Sequence, residues 1–295
     1  MDSKHAYLII AHNEFYILEK LIILLDDYRN DIYIHVDKKV KNFEFDYYKN
    51  IVKKSNLIFV DRIDVRWGDF SQIESELILL KKATKFKYKY YHLISGVDLP
   101  LKSQDYIHRF FEINNGKEFI HFCTDEQTKK VLNRVQHYHF MRLYRNGNKY
   151  ISYLVRKFDK LFNKVQFFIK RNWEKNIEIK YGSNWFSISH DFALYVISKE
   201  NWIKKHFKNT FCADEIFIQT IIYNSKFKSN IFNKKMNDDY EASMRYIDWN
   251  RGTPYIFREK DLKDLIISNR LFARKFSAKV DKKVINELYK YIINK

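Results

Sequence analysis

Cysteine, glycine and proline are all scarce in this chain of 295 residues. Its two cysteines, Cys123 and Cys212, form no C-x-x-C pair, which disfavours a disulfide framework or structural zinc site and predicts a reducing, cytoplasmic environment. Six glycines and two prolines leave few turn signals. Hydrophobic residues make up 46% and aromatic residues 18%, which excludes a disordered or fibrous protein.

Long hydrophobic runs are also lacking. No segment reaches the roughly 18 apolar residues needed to cross a bilayer, and the apolar run before His12 is too short for a signal peptide. Neither G-x-G-x-x-G nor G-x-x-x-x-G-K-[ST] occurs, which excludes a dinucleotide fingerprint and a Walker P-loop. Any nucleotide must be held in another way.

Positive charge is abundant, with a formal net charge of +18. Residues 127–180 hold 14 Lys and Arg but 3 acidic residues, which suggests a phosphate-bearing partner: nucleic acid, an anionic membrane or a phosphorylated small molecule. Within this block, residues 150–170 have the spacing of an amphipathic basic helix. Such a helix either packs on the core with a solvated basic side or contacts a membrane surface.

The N-terminal half alternates short apolar runs with helical patterns. The runs are "AYLIIAH", "DIYIHVDKK", "NLIFVD" and "YYHLISGVD". Between the last two, Ser71 and Glu74 have the spacing of a capping box that opens an amphipathic helix. This alternation predicts an α/β fold with a doubly wound, mostly parallel sheet. Later, "GSNWFSIS" predicts a turn into a strand, and "HDFALYVISKE" predicts a helix.

Polar residues follow the predicted strands, where ligands of such sheets bind. They are His12 and Asn13, Asp37, residues 66–68 and residues 95–98. Near the end of the chain, a second polar group combines arginine and lysine with aromatic residues: Arg245, Arg251, Arg270, Arg274 and Lys275. Clustered Arg and Lys suit a diphosphate, the alternative being a solvated basic surface.

The ordered motifs resemble the core-2/I-branching glycosyltransferases, a family that includes peptide O-xylosyltransferases. The matching stretches are "YLIIAHNEFYILEKLI", "IYIHVDKK", "VRWGDFSQIESEL", "YYHLISGVDLPLKS", "GSNWFSIS", "ADEIFIQT", "RYIDW" and "LFARKF". The resemblance implies a GT-A-like, Rossmann-type fold and inverting transfer from a UDP-sugar without a divalent metal or other cofactor. No D-x-D occurs, and the nearest substitutes, His35-x-Asp37 and Glu44-x-Asp46, do not supply three ligands.

The same resemblance assigns roles to single residues. Glu215 of "ADEIF" is implied as the general base. Lys275 of "LFARKF" is implied to bind the diphosphate with Arg251, for which Arg245 and Arg274 are alternatives. The remaining positions fall into two groups: His12, Asn13, Asp37 and Trp67 for the nucleoside, and Asp98, Trp185 and Trp249 for the sugars. Trp67 has an equally plausible interpretation as an ordinary buried tryptophan, and His137 and His139 are interpreted as surface or core histidines.

The acidic pair in "FCADEIFIQT" is predicted to have divided roles. Asp214 is expected to cap a helix, and Glu215 is expected in its first turn, facing an acceptor.

The prediction is thus a single domain, 1–295, with a nucleotide-sugar half (1–122), a basic helical insertion (123–180) and an acceptor half (181–295). It would form a β linkage from UDP-GlcNAc, or from UDP-xylose, UDP-glucose or UDP-galactose, to a glycan or lipid-linked oligosaccharide. The eukaryotic relatives carry a membrane anchor and disulfides, and neither feature is predicted from this sequence. A bacterial cytoplasmic enzyme of surface polysaccharide synthesis is therefore favoured. Residues 127–180 would dock it on anionic lipid. A basic nucleic-acid-binding protein is the competing class, but no nucleic-acid motif is present, so no nucleic-acid partner is expected.

Overall fold

Nine β-strands form two sheets within the residues that the computed structural model describes, which are 4–139, 153–154, 157–158, 162, 166, 171, 173–174 and 176–295. The strands are β1 (His5–Ala11), β2 (Asn30–Val36), β3 (Asn56–Phe59), β4 (Tyr90–Ser95), β5 (Leu99–Pro100), β6 (Phe119–Ile120), β7 (Phe186–Ser189), β8 (Arg245–Ile247) and β9 (Phe272–Arg274).

The larger sheet has the strand order β3-β2-β1-β4-β7-β6. Strands β3, β2, β1 and β4 are parallel, whereas β7 runs antiparallel to its neighbours β4 and β6. The chain winds from β1 outward to β3 and then returns to place β4 on the other side of β1. The crevice between β1 and β4 is therefore the topological switch point, where ligands of doubly wound sheets bind. The predicted α/β, Rossmann-type sheet is confirmed.

Helices cover both faces of this sheet. They are α1 (Phe15–Leu25), α2 (Phe45–Ile51), α3 (Ser71–Ala83), α4 (Gln104–Ile113), α5 (Asp125–Gln136), α6 (His190–Ser198), α7 (Glu200–Phe207), α8 (Phe217–Tyr223), α9 (Leu262–Ile267) and α10 (Lys282–Ile293). Along β1, Ala6 and Leu8 pack into one hydrophobic cluster with α3, and Tyr7 and Ile9 pack into a second with α1 and α10. Because alternate side chains enter opposite cores, the strand is apolar throughout.

The first turn of α3 differs from the predicted capping box. The Ser71 backbone N–H donates to Asp69 Oδ1 at 2.9 Å, and Ser71 Oγ accepts the Arg66 N–H at 2.9 Å. The hydroxyl of Ser71 thus bonds back to the preceding loop, and the N-cap residue of α3 is Phe70, which makes no side-chain cap hydrogen bond, so the predicted capping box is wrong. Asp69 supplies the acceptor for this helix start instead.

A three-stranded sheet, β5-β9-β8, lies at the carboxyl end of β4. Strand β9 pairs antiparallel with β5 and parallel with β8. The Phe276 N–H beyond β9 donates to the Val97 carbonyl at 3.1 Å. This bond fixes the end of β9, and with it Arg274, beside the switch point.

The predicted basic insertion contains α5, which begins with a capping box formed by Thr124 and Gln127. The predicted helix over 150–170 falls largely outside the described residues. Among the described residues, no helix combines the length and the hydrophobicity that a bilayer crossing requires.

Candidate active site

A cavity of about 600 Å³ opens at the carboxyl ends of β1, β2 and β4. All four predicted nucleoside-binding residues line it: His12, Asn13, Asp37 and Trp67. Two further predicted residues, Trp185 and Arg274, also line it. The structure thus brings residues from distant parts of the chain to the switch point, where a ligand is expected.

Asp37 provides a buried carboxylate at the end of β2. It is 4% exposed, and its Oδ1 accepts the Lys39 backbone N–H at 2.8 Å. The Lys39 ammonium lies 3.2 Å from Asp37 Oδ2 and 3.1 Å from Asp64 Oδ1. Since Lys39 also lines the cavity, an acceptor and a cation stand side by side at its wall.

Arg274 enters the cavity from β9 and is held on two sides. Its Nη1 donates to Asp98 Oδ1 at 2.9 Å and to Ser95 Oγ, and its guanidinium lies 4.5 Å from the ring centroid of Trp185. Asp98 is 1% exposed and also accepts the Ser95 N–H and hydroxyl. Asp98 does not line the cavity but orients two residues that do, Arg274 and Ser95.

Three positively charged side chains act on His12. Burial lowers the pKa of His12, the charges of Arg274, Lys39 and Lys275 lower it further, and Asp37 opposes them. Within the described part of the chain, Lys275 makes no ion pair. These three cations near one end of the cavity form an electrostatic environment suited to a diphosphate.

The other two arginines predicted for the diphosphate lie elsewhere. Arg245 is 1% exposed, and it donates to the carbonyls of Ser243, Leu93 and Phe186 inside the protein. Burial lowers its pKa to about 10. A diphosphate could reach this guanidinium only by opening the core, so the prediction for Arg245 is contradicted.

Arg251 is exposed but already paired. Its guanidinium contacts Asp248 at 2.5 Å and Asp261 at 2.7 Å, and it lies 4.1 Å from the Tyr255 ring centroid. Arg251 does not line the cavity. Arg251 is thus paired with two carboxylates outside the cavity, whereas Arg274 lines the cavity and the charge of the next residue, Lys275, acts on His12.

Glu215 belongs to a 3₁₀ turn, Ala213–Glu215, that precedes α8. The predicted helix cap at Asp214 is wrong, because Asp214 lies within this turn and its buried carboxylate accepts from Gln72 Nε2 at 2.8 Å. Burial, followed by the charge of Glu215, raises the pKa of Asp214. Gln72 lines the cavity, so one side chain separates the cavity from the acidic turn.

Arg134 is the charged partner of Glu215, and no sequence pattern indicated it. Its Nη1 lies 2.7 Å from Glu215 Oε2, and its guanidinium lies 5.4 Å and 5.5 Å from the ring centroids of Tyr181 and Phe211. The Glu215 side chain remains 33% exposed. In the sequence Arg134 was one of many basic residues in 127–180, and only the fold shows which of them meets an acid.

The loop with Trp67 packs directly on the segment that leads to Glu215. Gly68 has a φ of +76°, and a Cβ built on it would lie 2.5 Å from the Phe211 ring. The Cys212 N–H donates to the Gly68 carbonyl at 3.1 Å, and the Gly68 N–H donates to the Gln72 side chain. Trp67 is 59% exposed and meets Phe211 edge to face, so the interpretation of Trp67 as a buried tryptophan is wrong.

Trp249 is 49% exposed and lies outside the cavity lining. Its proposed contact with an acceptor stays a prediction.

One cluster has the composition of a metal site. The ligand atoms of His121, Cys123 and Asp238 lie within 4.8 Å of one another. However, His121 Nδ1 accepts the Ser183 backbone N–H at 3.0 Å, which places the proton of a neutral ring on Nε2, the atom 3.1 Å from Asp238. A metal at Nε2 would require the ring to lose its last N–H proton, so this arrangement does not fit a metal ion.

Helix α3 contributes polar residues that were not singled out from the sequence. Gln72, Ser75 and Glu76 line the cavity together with Asn184. Their spacing, i, i+3 and i+4, places the three helical residues on one face, which was the available signal.

The chain is similar to one known family and to several known proteins. A family model described as Core-2/I-Branching enzyme matches residues 5–269. Xylosyltransferase sqv-6 of Caenorhabditis elegans is 26% identical over 84% of this chain and 31% of its own length. A beta-1,3-galactosyl-O-glycosyl-glycoprotein beta-1,6-N-acetylglucosaminyltransferase 4 of Danio rerio is 24% identical over 95% of this chain and 67% of its own. Xylosyltransferase 2 of Rattus norvegicus is 21% identical over 96% and 33%.

The chain spans about a third of the length of these xylosyltransferases. The family match, in contrast, covers all of the larger sheet, β5 and β8 of the smaller one, Arg134, Glu215 and every cavity-lining residue except Arg274, and it ends before β9. The chain belongs to the core-2/I-branching enzyme family.

Proposed function

We propose that this chain is a metal-independent, inverting glycosyltransferase that moves a sugar from a UDP-sugar to a hydroxyl of a glycan. The observation that carries the proposal is the cavity at the β1/β4 switch point, where Arg274, Lys39 and Lys275 surround His12. The apolar side chains of Val40, Val65 and Val97 line the same cavity and suit the faces of a nucleoside.

The proposed chemistry needs one base and one site for the leaving group. Glu215 takes the proton of the acceptor hydroxyl, which is too weakly acidic to attack unaided. The oxygen of that hydroxyl attacks the anomeric carbon as the bond to UDP breaks, so the configuration inverts in one displacement. Arg274 and Lys275 stabilise the negative charge that develops on the departing diphosphate, the role that a divalent ion has elsewhere.

The donor is proposed to be UDP-GlcNAc, with UDP-xylose, UDP-glucose and UDP-galactose as alternatives. The relatives include both N-acetylglucosaminyl- and xylosyltransferases, so the family alone does not choose between them. A β linkage follows from inversion at an α-linked UDP-sugar.

The test is UDP release from each of these four UDP-sugars in EDTA, with a mixed glycan acceptor library, for the wild type and Glu215→Gln. We expect one donor to be used in EDTA by the wild type. The Gln variant should lose at least about 100-fold in rate, within the range for removal of a general base, while it still binds UDP. Activity that depended strictly on added Mn²⁺ would refute the metal-free mechanism, and full activity of the variant would remove Glu215 as the base.

The cellular setting remains a separate proposal. We propose a bacterial enzyme of surface polysaccharide synthesis that acts on a lipid-linked acceptor and docks on anionic lipid through residues 127–180. Co-sedimentation with phosphatidylglycerol vesicles, compared with phosphatidylcholine vesicles, tests the docking, because electrostatic attachment requires stronger binding to the former.

A further inference from the structure

Glu76 is a carboxyl group without a hydrogen-bond partner inside the cavity wall. It is 0% exposed, and neither of its oxygens has a hydrogen-bond partner. The Asn184 amide is its polar neighbour, but no hydrogen bond of normal geometry joins the two. A buried polar group left unpaired costs free energy of folding, so its presence beside a cavity calls for an explanation.

The surroundings of Glu76 favour the neutral acid. Within the described part of the chain no cation pairs with it, and the charge that acts on its pKa is that of another carboxyl, Asp214. Burial, reinforced by Asp214, raises the pKa of Glu76 well above its ordinary value. A neutral carboxylic acid carries an O–H donor as well as an acceptor oxygen. Unlike a carboxylate, it does not repel a diphosphate.

We propose that Glu76 is a specificity-determining residue of the donor-sugar subsite, where its carboxyl hydrogen-bonds a hydroxyl or amide group of the sugar attached to UDP. The inference rests on the proposed use of a UDP-sugar. Glu76 shares one face of α3 with Gln72 and Ser75, and these three residues line the cavity with Asn184 and Trp185. Val40 and Val65 line the same cavity and suit the apolar faces of a nucleoside, so the polar side chains of α3 are the candidates for contact with the sugar.

A purely structural role makes the opposite prediction. If Glu76 only filled space, an apolar side chain of similar length would remove an unpaired polar group and leave ligand binding unchanged. Sugar binding therefore separates the two interpretations, and the stability measurement shows that the variant is folded.

The experiment uses the full chain and calorimetric titration with UDP, UDP-GlcNAc and UDP-xylose, combined with urea unfolding. The variants are Glu76→Met, which removes the polar group, and Glu76→Gln, which keeps a neutral donor and acceptor. Glu74→Met, on the same helix but outside the cavity lining, is the matched control. The quantity compared is the ratio of the UDP affinity to the UDP-sugar affinity.

We expect Glu76→Met to be at least as stable as the wild type and to bind UDP unchanged, but to lose about tenfold or more of the affinity contributed by the sugar. Glu76→Gln should lose less than about threefold, and Glu74→Met should lose nothing. An unchanged ratio in Glu76→Met would overturn the inference while leaving the proposed function intact. A wild type that binds neither UDP nor UDP-sugars would overturn both.

Discussion

The Arg134 guanidinium lies 2.7 Å from Oε2 of Glu215, although the two residues are 81 positions apart in the sequence. The pair joins α5, which lies in the predicted basic insertion, to the turn that holds the proposed base. Arg134 occupies one carboxylate oxygen, and within the described part of the chain no donor contacts the other. The second oxygen is therefore available to an acceptor hydroxyl.

Replacing Arg134 should disable transfer without affecting the nucleotide. In Arg134→Met the Glu215 carboxylate loses its orienting partner, so we expect the transfer rate to fall by about tenfold or more, a loss of roughly 1.4 kcal/mol of transition-state stabilisation. Arg134→Lys should recover part of the rate. UDP affinity, measured by calorimetry, should be unchanged in both. Lys130→Met, on the same helix, is the control, since Lys130 pairs with exposed Glu126. A Met variant that transfers sugar at the wild-type rate would contradict the role.

The candidate cationic residues should contribute unequally to UDP binding. Lys275→Met and Arg274→Met each remove a charge near the diphosphate site, and we expect UDP to bind roughly 10–100-fold more weakly, the worth of one charge-assisted hydrogen bond. Arg251→Met should bind UDP as the wild type does, because Arg251 is already paired with Asp248 and Asp261. If Arg251→Met weakened UDP binding more than Lys275→Met, the assignment would be reversed.

Binding of UDP-GlcNAc should take up protons near pH 6. In the free protein burial and three nearby cations lower the pKa of His12, so its ring binds protons less readily than an ordinary histidine does. The diphosphate neutralises Arg274, Lys39 and Lys275, which raises the pKa of His12 in the complex. The bound state then holds more protons, and affinity should rise as the pH falls from about 7 to about 5.5.

Titration calorimetry in two buffers with different ionisation enthalpies measures this uptake directly. His12→Gln should show none, since Gln does not titrate. Proton release by the wild type at pH 6 would show that the sign of the coupling is wrong.

Arg245→Met should affect folding and not catalysis. Its guanidinium donates hydrogen bonds to three buried main-chain carbonyls, which would lose this donor in the variant. We therefore expect the free energy of unfolding in urea to fall by roughly 2–5 kcal/mol. UDP affinity per folded molecule should stay within about twofold of wild type, in contrast to Arg274→Met. A stable variant that had lost UDP binding would restore the original assignment of Arg245 to the diphosphate.

The sequence predicted the sheet and the position of the cavity better than it predicted the side-chain contacts of the site. Short runs apolar on both faces, such as residues 6–11, report burial directly, so the sheet and the cavity at its carboxyl end could be predicted. Motif position alone could not distinguish Arg245 from Arg274, because burial depends on which way a short strand faces. Both arginines lie at the ends of strands of the small sheet, yet one side chain enters the core and the other the cavity.

The acidic turn shows a second limit. Asp214 was predicted to cap a helix because a cap requires only a local sequence pattern, whereas its observed partner, Gln72, lies 142 residues away. Arg134 and Glu76 were not predicted as site residues for the same reason. Their neighbours are set by the packing of α3 and α5, and no spacing within either helix encodes them.

The contact between Gly68 and Phe211 limits how this site can change. Because even a methyl group at residue 68 would collide with the ring, a library randomised at that position should return active clones with glycine alone. Pairing the library with Phe211→Ala would remove the collision but not the positive φ, so asparagine and aspartate should then be the first residues to reappear. Anyone who redesigns the acceptor side through Trp67 must therefore treat residues 67–72 and 211–215 as one part, exchanged together or not at all.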